Sequence, residues 1–406
     1  MRIKPFRALR PALDKAEIVA AVPYDVVDTS EARALAAGNP ESFLHVSRPE
    51  IDLADGIDVY RDEVYTQGAK ALRELQERGA LIREESECLY VYRQIMGEHS
   101  QTGIVACSHI DDYADNLIRK HEKTRQNKED DRTRHVLEMN ANAGPVFLTY
   151  RDTESLDKMV AAVQIGEPVY DFIAEDGVKH TLWLVSEETG KWVDAFSDVP
   201  LTYVADGHHR AAAAYRAGQR RKELNPDHNG SEEYNWFLTV LFPAGQLKIL
   251  AYNRCVESLN GLSSEAFLAK VKEIFAVKPA ESTTPVSARE VCMYLGDRWY
   301  NLSWDEFNSD PVGILDVSVL QDRLLAPVLG VGDPRTSEKI SFIGGIRGTE
   351  ELIKRVDSGR DVVAFSMCPV SIEQMMDIAD ADQIMPPKST WFEPKLRSGL
   401  IVHTLD

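Results

Sequence analysis

The sequence predicts a mixed α/β (α+β) protein, in which a mixed sheet core is flanked by an N-terminal helical region and a C-terminal α+β region. Its 406 residues exceed what one ordinary hydrophobic core accommodates, so more than one domain is expected. Runs of β-branched and aromatic residues alternate with helical patterns, and no repeat of fixed period recurs. We place the mostly helical region at 1–88, the core at 89–258 and the C-terminal region at 259–406.

The first region, 1–88, carries two clear helix signals. Asp28-Thr29-Ser30 is a favourable N-terminal cap for the helix that follows, and Gly38-Asn39-Pro40 is a stop signal. The spacing of apolar residues from Ile57 to Arg78 predicts a long amphipathic helix that ends at Gly79. These helices carry no residues that suggest chemistry.

The core, 89–258, begins with two strands, Leu89–Ile95 and Thr102–Ala106, which are predicted to form a hairpin across Gly97. A basic region at 119–134 is predicted to be helical. Further elements are predicted in order along the chain: a strand at 145–150, a helix at 154–163, two strands within 169–185, a strand at 201–204 followed by an alanine-rich helix, and a strand at 236–242.

The last region alternates helices and strands. The patterns predict helices at 265–275, 319–329, 349–356 and 371–379, and strands at 291–295, 340–343 and 362–365. A proline-rich polar loop, 385–395, precedes a final strand predicted at 400–402. Gly344-Gly345-Ile346-Arg347-Gly348 resembles a phosphate-binding turn but matches neither the Walker pattern nor the dinucleotide fingerprint.

The net charge of −19 makes nucleic acid an unfavourable partner, because most of the surface would repel it. Two basic islands stand out against this background. The stretch 119–134 has seven Lys or Arg residues against four Asp or Glu, and a smaller island has Lys388, Lys395 and Arg397 against Glu393. Islands of this size suit a small polyanion better than a duplex.

The five cysteines are scattered and never closely paired, which argues against a disulfide framework and a cysteine zinc site. No apolar stretch reaches the length of a membrane span, and the N-terminus lacks the apolar core of a secretory signal. We therefore expect a cytoplasmic protein without a membrane partner. The sequence gives no indication of its oligomeric state.

The densest chemistry lies in Asp206-Gly207-His208-His209-Arg210, between an apolar strand and an alanine-rich helix. A helix N-terminus at this turn presents unpaired backbone N–H groups and favours an anion. His208, His209 and Arg210 add donors, while Asp206 is placed to accept a proton or hold a metal ion. The alternative is a helix cap with exposed histidines.

Two other tracts are candidates for the same chemistry. In the basic island a carboxylate, Glu122, stands among cations and is a plausible general base beside a bound phosphate; the alternative is a solvated helix face. The final loop of the C-terminal region could return to this site, where its donors would serve a phosphate, or Trp391 and Phe392 could simply pack a tail. Besides Glu122, the candidate residues of these tracts are His121, Lys123, Thr124, Arg125, Lys128, Lys388, Ser389 and Thr390. No Gly-x-Ser-x-Gly elbow is present.

Several tracts together resemble a large bacterial and archaeal family known as a domain of unknown function, and the likeness covers nearly the entire chain. They are Val22-Pro23-Tyr24-Asp25-Val26, Ser42-Phe43-Leu44-His45-Val46, His121-Glu122-Lys123-Thr124, Gly144-Pro145-Val146-Phe147-Leu148, Ala205 to Arg210, and Pro387-Lys388-Ser389-Thr390-Trp391-Phe392. The family name conveys no activity.

The Asp-Gly-His-His-Arg turn is also similar to that of the free-serine kinases of the ParB and sulfiredoxin superfamily, which implies a ParB/sulfiredoxin-like element in the core. Sulfiredoxins carry Gly-Cys-His-Arg and ParB proteins Gly-Glu-Arg-Arg, so His208 stands where the reactive cysteine would be and the ParB Glu is missing. The resemblance implies catalytic roles for Asp206, His209 and Glu122. In the free-serine kinases, fewer residues separate the catalytic carboxylate from this turn. The assignment of Glu122 therefore requires an insertion in the present chain.

The resemblance implies a phosphotransferase that moves phosphate between serine or phosphoserine and ADP or ATP, with Mg²⁺. Its partners would be a nucleotide and a small phosphorylated metabolite. Transfer from phosphoserine to ADP would serve serine synthesis, but one site catalyses both directions and the sequence does not choose. The remaining phosphate- and nucleotide-binding residues would be Gly207, His208 and Arg210. The alternatives are a phosphomonoester hydrolase and a nucleotide-gated binding module without catalysis.

Overall fold

A computed structural model describes residues 1–305 and 309–406 and confirms the mixed α/β fold. The chain forms two compact units. The first comprises Met1–Leu247 and Pro394–Asp406, and the second comprises Lys248–Glu393. The predicted N-terminal region and nearly all of the predicted core thus share one unit, which also includes the last residues of the chain.

The first unit contains helices and strands in alternation. Its α-helices are α1 (Ala16–Val19), α2 (Thr29–Ala36), α3 (Leu44–Ser47), α4 (Asp62–Glu77), α5 (Ile110–Ala114), α6 (Gln126–Met139), α7 (Glu154–Val163), α8 (Thr189–Ser197) and α9 (His208–Leu224). Its strands up to residue 247 are β1 (Ile3–Lys4), β2 (Leu9–Pro11), β3 (Leu81–Arg83), β4 (Leu89–Met96), β5 (His99–His109), β6 (Ile118–Arg119), β7 (Ala141–Asn142), β8 (Val146–Tyr150), β9 (Tyr170–Ile173), β10 (Lys179–Val185), β11 (Thr202–Asp206) and β12 (Trp236–Pro243). Short 3₁₀ helices lie at Pro49–Asp52, Glu233–Asn235 and Ala244–Gln246.

A mixed sheet is the centre of this unit. Its strand order is β6-β11-β8-β12-β5-β4-β10-β9, and β1 pairs with β5. The pairs β6–β11 and β8–β12 are parallel, while the other pairs are antiparallel. The predicted hairpin across Gly97 is confirmed by the pairing of β4 with β5. Large side chains such as Phe196 and Phe237 fill the core between the sheet and its helices.

The second unit has an antiparallel sheet of its own. Its strands are β13 (Lys248–Leu250), β14 (Tyr252–Val256), β15 (Ala276–Pro279), β16 (Glu290–Leu295), β17 (Arg298–Ser303), β18 (Ile340–Gly344), β19 (Val363–Met367) and β20 (Trp391–Glu393). Its α-helices are α10 (Ser264–Ile274), α11 (Asp316–Leu320), α12 (Glu350–Asp357) and α13 (Ile372–Asp380), with a π-helical turn at Gln321–Leu325 and a 3₁₀ turn at Gly345–Arg347. The sheet order is β15-β17-β16-β19-β14-β18, and β13 pairs separately with β20.

The helix predicted at 319–329 is an α-helix at Asp316–Leu320 that continues as a π-helical turn at Gln321–Leu325. Three further predicted elements differ from the structure. The long helix begins at Asp62 rather than Ile57, because Asp58 accepts a hydrogen bond from the Tyr60 N–H and forms a turn instead. The basic region is helical only from Gln126, since its first residues form β6 and a loop. The final strand is β21 (His403–Thr404), which pairs with β7, so it lies just beyond the predicted 400–402.

The sequence predicts that the cysteines form no disulfide framework and that no segment spans a membrane. All five cysteines are free thiols, and four of them are buried. Among the described residues, no helix combines the length and the apolar character that a membrane span requires.

Candidate functional site

The parallel pairing of β6 and β11 positions the two strongest sequence candidates at one edge of the sheet. Thr202 lies opposite Ile118 and Tyr203 opposite Arg119. Because parallel strands end on the same side, the loop that follows β6 and the turn that follows β11 leave the sheet together. The tract 120–125 and the turn Asp206–Gly207 are therefore neighbours in space, although more than 80 residues separate them along the chain.

Two contacts join the loop to the turn. The rings of His121 and His208 meet edge to face, with 4.5 Å between their centroids and an interplanar angle of 89°. The backbone N–H of Arg125 donates to Nε2 of His209 at 3.1 Å. The structure thus brings the predicted residues of the 121–125 tract and of the 206–210 turn into one cluster.

Gly207 permits the sharp change from strand to helix. Its φ of +92° lies in the left-handed region, which favours glycine, and α9 begins at the next residue. A Cβ at this position would lie 2.9 Å from Nε of Arg210, so a larger residue would displace the Arg210 side chain. The Gly207 N–H donates to Oδ1 of Asp206 at 2.9 Å, and no side chain caps the first turn of α9. The strand-to-helix turn predicted from the sequence is confirmed.

Asp206 carries the negative charge of the site between two cations. Its Oδ2 lies 3.4 Å from Nζ of Lys395 and 3.5 Å from Nη2 of Arg210. Burial alone would raise the pKa of Asp206, but these two cations outweigh burial and hold the pKa below its ordinary value. The carboxylate is therefore ionised at neutral pH, and its side chain keeps 27% exposure for a ligand.

Lys395 is held at this position by the segment around it. Its carbonyl accepts a hydrogen bond from Nε2 of Gln94 at 2.9 Å. Two residues further on, Arg397 is buried, donates to Nε2 of His180 at 3.2 Å and forms an ion pair with Asp176. The sequence placed Lys395 in a basic island on a final loop that could return to the site, but it did not identify Asp206 as the partner of Lys395, because that contact depends on tertiary pairing.

The three histidines of the cluster are neutral at pH 7. Burial lowers the pKa of His121 to about 3 and that of His208 to about 4, and it also lowers the pKa of His209. Because Nε2 of His209 accepts a hydrogen bond from Arg125, its proton lies on Nδ1, which is a donor. Nε2 of His208 is buried and has no hydrogen-bond partner among the described residues.

The remaining residues of the 121–128 tract differ in exposure. Glu122, Lys123 and Arg125 are exposed beside the turn, and the negative charge of Glu122 raises the pKa of His209 against the effect of burial. Thr124 donates to Glu129 through its hydroxyl. Lys128 lies 5.8 Å from the ring of Tyr60.

The Tyr24–Asp25 tract belongs to the site more clearly than its sequence indicated. Burial alone would lower the pKa of Arg210, but the charges of Asp25 and Asp206 outweigh burial and raise it. Asp25 also opposes the lowering of the His209 pKa by burial. Asp25 is exposed, so it is a further carboxylate beside the turn. Its only sequence signal was the family tract that contains it, because an isolated Pro-Tyr-Asp has no spacing characteristic of a site.

Lys388, Ser389 and Thr390 lie in the second unit, in the loop before β20. Nζ of Lys388 lies 3.4 Å from the Tyr252 hydroxyl, and the Ser389 hydroxyl donates to the Pro386 carbonyl at 2.7 Å. Lys388 has a φ of +55°, which is unusual for a residue with a side chain.

The metal-binding potential of the candidate carboxylates is limited. Among the residues that the structure describes, no group of three or more His, Cys, Asp or Glu side chains could hold a metal ion. Asp206 is engaged by Lys395 and Arg210, and Glu122 is exposed. The described side chains therefore do not supply three such ligands to a metal ion by themselves.

Comparisons with known proteins identify a family but no activity. The family model described as "Protein of unknown function (DUF1015)" matches residues 3–318. No curated protein matches the chain. Similar solved structures include a conserved hypothetical protein from Pyrococcus furiosus, with 12% identity, a TM-score of 0.35 and coverage of 71% of this chain and 90% of that one.

Two other solved structures show likeness of the same extent. A free serine kinase in complex with AMP has 11% identity and a TM-score of 0.37, with coverage of 71% of this chain and 86% of that chain. SbnI from Staphylococcus aureus, truncated at its C-terminus, has 12% identity and a TM-score of 0.38, with coverage of 72% and 85%.

Proposed function

The chain belongs to the DUF1015 family of proteins of unknown function, and we propose that it is a phosphotransferase that moves a phosphoryl group between serine or phosphoserine and ADP or ATP. One observation carries the proposal. The Asp206–Arg210 turn, at the N-terminus of a 17-residue helix, meets the 121–125 loop with its exposed carboxylate and cations. The cluster thus combines an anion-binding helix end with separate carboxylates, as phosphoryl transfer requires.

The phosphate would bind at the start of α9. The first backbone N–H groups of a helix point outward and favour an anion, and Nδ1–H of His209 adds a donor. Arg125 and Lys123 are exposed beside the turn and add positive charge. His121 and His208 are buried and neutral, so in this proposal they contribute shape and neutral hydrogen bonds rather than charge.

Asp206 and Glu122 would have different roles at the serine hydroxyl. Asp206 stays ionised and would accept a hydrogen bond that orients the hydroxyl, while its lowered pKa makes it a weak base. Glu122 would take the hydroxyl proton as the serine oxygen bonds to phosphorus and the bond from phosphorus to the departing ADP oxygen breaks. In the reverse direction, an ADP oxygen attacks phosphoserine, and Glu122 returns the proton to the serine oxygen.

Two further assignments belong to the same proposal. Mg²⁺ would enter with the nucleotide, whose phosphates supply most of its ligands, and Asp206 and Glu122 are the candidate protein ligands. In the second unit, Lys388, Ser389 and Thr390 are proposed as donors to a nucleotide phosphate. The free cysteines fit a reducing compartment, and we propose a cytoplasmic location.

Phosphorus NMR on the purified full chain tests the proposal. Phosphoserine is incubated with ADP, and serine with ATP, each across a range of Mg²⁺ concentrations. We expect signals of ATP and of phosphoserine, respectively, to grow with time. Release of inorganic phosphate from phosphoserine at the same rate without ADP would instead identify a hydrolase, and no change in any mixture would contradict the proposal.

A further inference from the structure

A pocket in the first unit has Arg210 in its wall. It is formed by residues of α6, α9, β8 and β12 and by the Tyr24 tract. Two guanidinium groups, those of Arg132 and Arg210, line it, and none of the described residues that line it is an Asp or a Glu. Apolar side chains such as Val136 and Phe237 line it together with uncharged polar ones such as Ser47 and Asn142. The pocket therefore favours a small anion that has an apolar portion.

Arg132 presents a pre-oriented fork to this pocket. Its Nε donates to Oδ2 of Asp131 at 2.8 Å, and its guanidinium stacks on the ring of Tyr24 at 4.2 Å. Asp131 is fixed in turn by the hydroxyl of Tyr65 at 2.8 Å. Among the described residues, Nη1 and Nη2 of Arg132 have no hydrogen-bond acceptor. The two outer nitrogens are thus rigidly held and available for a bidentate partner.

Two other polar atoms at the pocket lack partners. The hydroxyl of Ser47 is 5% exposed as a residue and has no hydrogen bond within the described chain, although Ser47 lines the pocket. Nε of Arg210, a residue that also lines the pocket, is likewise buried without a partner and lies against Gly207. Buried polar groups are normally hydrogen-bonded, so unpaired donors around a cationic pocket indicate a ligand that accepts hydrogen bonds.

We infer that this pocket binds the carboxylate of the substrate, with Arg132 as a bidentate partner and Ser47 as a further donor. The inference rests on the proposed function and deepens it, because it specifies a substrate that carries a carboxylate in addition to its phosphate. The planar fork of Arg132 matches the two oxygens of a carboxylate. Arg210 borders both the pocket and Asp206, so a substrate anchored here would extend toward the proposed phosphoryl site.

Calorimetric binding of L-phosphoserine and phosphoethanolamine tests the inference, because the second compound lacks only the carboxylate. Arg132→Lys keeps the positive charge beside Asp131 but removes the fork. Arg134→Lys is the matched control: Arg134 lies on the same helix, stacks on Tyr65 at 4.2 Å and pairs with Asp62, but it does not line the pocket. Ser47→Ala is a second, smaller change.

We expect the wild-type protein to prefer phosphoserine. Arg132→Lys should weaken phosphoserine binding about tenfold or more and leave phosphoethanolamine binding unchanged. Ser47→Ala should act in the same direction by several-fold, and Arg134→Lys should change neither ligand. An unchanged preference in both pocket variants, or no preference in the wild-type protein, would overturn the inference.

Failure of the proposed function would give a different result. A preference for phosphoserine that depends on Arg132, without phosphoryl transfer to ADP, would support the carboxylate pocket and refute only the phosphotransferase. The opposite result is phosphoryl transfer to ADP together with an unchanged preference for phosphoserine over phosphoethanolamine in the Arg132→Lys and Ser47→Ala proteins. That result would refute only the carboxylate pocket.

Discussion

At the scale of single residues, the site depends on one ionised carboxylate that is shared by two cations. Asp206 is held below its ordinary pKa by Lys395 and Arg210, which outweigh its burial. The sequence predicted the acidic and basic residues of the turn because they are adjacent. It could not predict the contact with Lys395, which is 189 residues away and is fixed by the anchoring of Arg397 and Gln94.

Lys395→Met should raise the pKa of Asp206 toward its ordinary value, because one of the two opposing cations is removed while burial remains. Carbon NMR of the Asp206 carboxyl during a pH titration measures this shift, and phosphoryl transfer should fall at the same time. Lys158→Met is a suitable control, since Lys158 is an exposed lysine that pairs with Glu154 on α7. An unchanged Asp206 titration in the Lys395→Met protein would contradict the electrostatic account.

At the scale of elements, the site is a consequence of strand pairing. The strand, glycine turn and helix around 202–224 were predictable, because each has a local signal in side-chain type and helix propensity. The meeting of 121–125 with the turn was not, because it results from the parallel pairing of β6 with β11. Similarly, the start of α4 was misplaced because a side-chain turn at Asp58 competes with the helix.

Gly207→Ala tests how much of the site depends on the turn. The left-handed backbone should cost about 1–2 kcal/mol of folding free energy, and the new Cβ should displace Arg210. Gly38→Ala is the matched control, since Gly38 has a φ of +75° with no atom within 4 Å of the added Cβ. Chemical denaturation should show a similar loss in both variants, whereas transfer activity should fall only in Gly207→Ala. Equal activity in the two variants would show that Arg210 need not occupy its place at the turn.

At the scale of the whole molecule, the two units could not be delimited from the sequence, because the last residues of the chain pack in the first unit. The mixed α/β fold itself was predictable from the alternation of strand and helix patterns. The stability of the first unit should depend on pH because several of its histidines are buried. His121, His135, His180 and His208 are all buried, and burial lowers each pKa to about 3 or 4.

Acidification should therefore destabilise the first unit well before its carboxylates titrate. An unfolded histidine takes up a proton near pH 6.5, while these folded ones resist protonation down to about pH 4. Stability is fully present above pH 6.5 and should fall toward pH 4, by up to about 1.4 kcal/mol per pH unit for each histidine. Urea denaturation at pH 7 and pH 5 measures the loss, and His208→Gln should reduce the slope. A flat profile between these values would contradict the burial of neutral histidines.

The most direct measurement of the central claim is the rate of phosphoryl transfer between phosphoserine and ADP in the Asp206→Asn protein, followed by phosphorus NMR. The control is Asp152→Asn, since Asp152 also accepts a backbone N–H, from Gly245 at 2.9 Å, but lies outside the cluster. We predict that Asp206→Asn loses transfer by roughly 100-fold or more with its fold intact, while Asp152→Asn retains it. Full activity in the Asp206→Asn protein would contradict the assignment of the turn as the catalytic site.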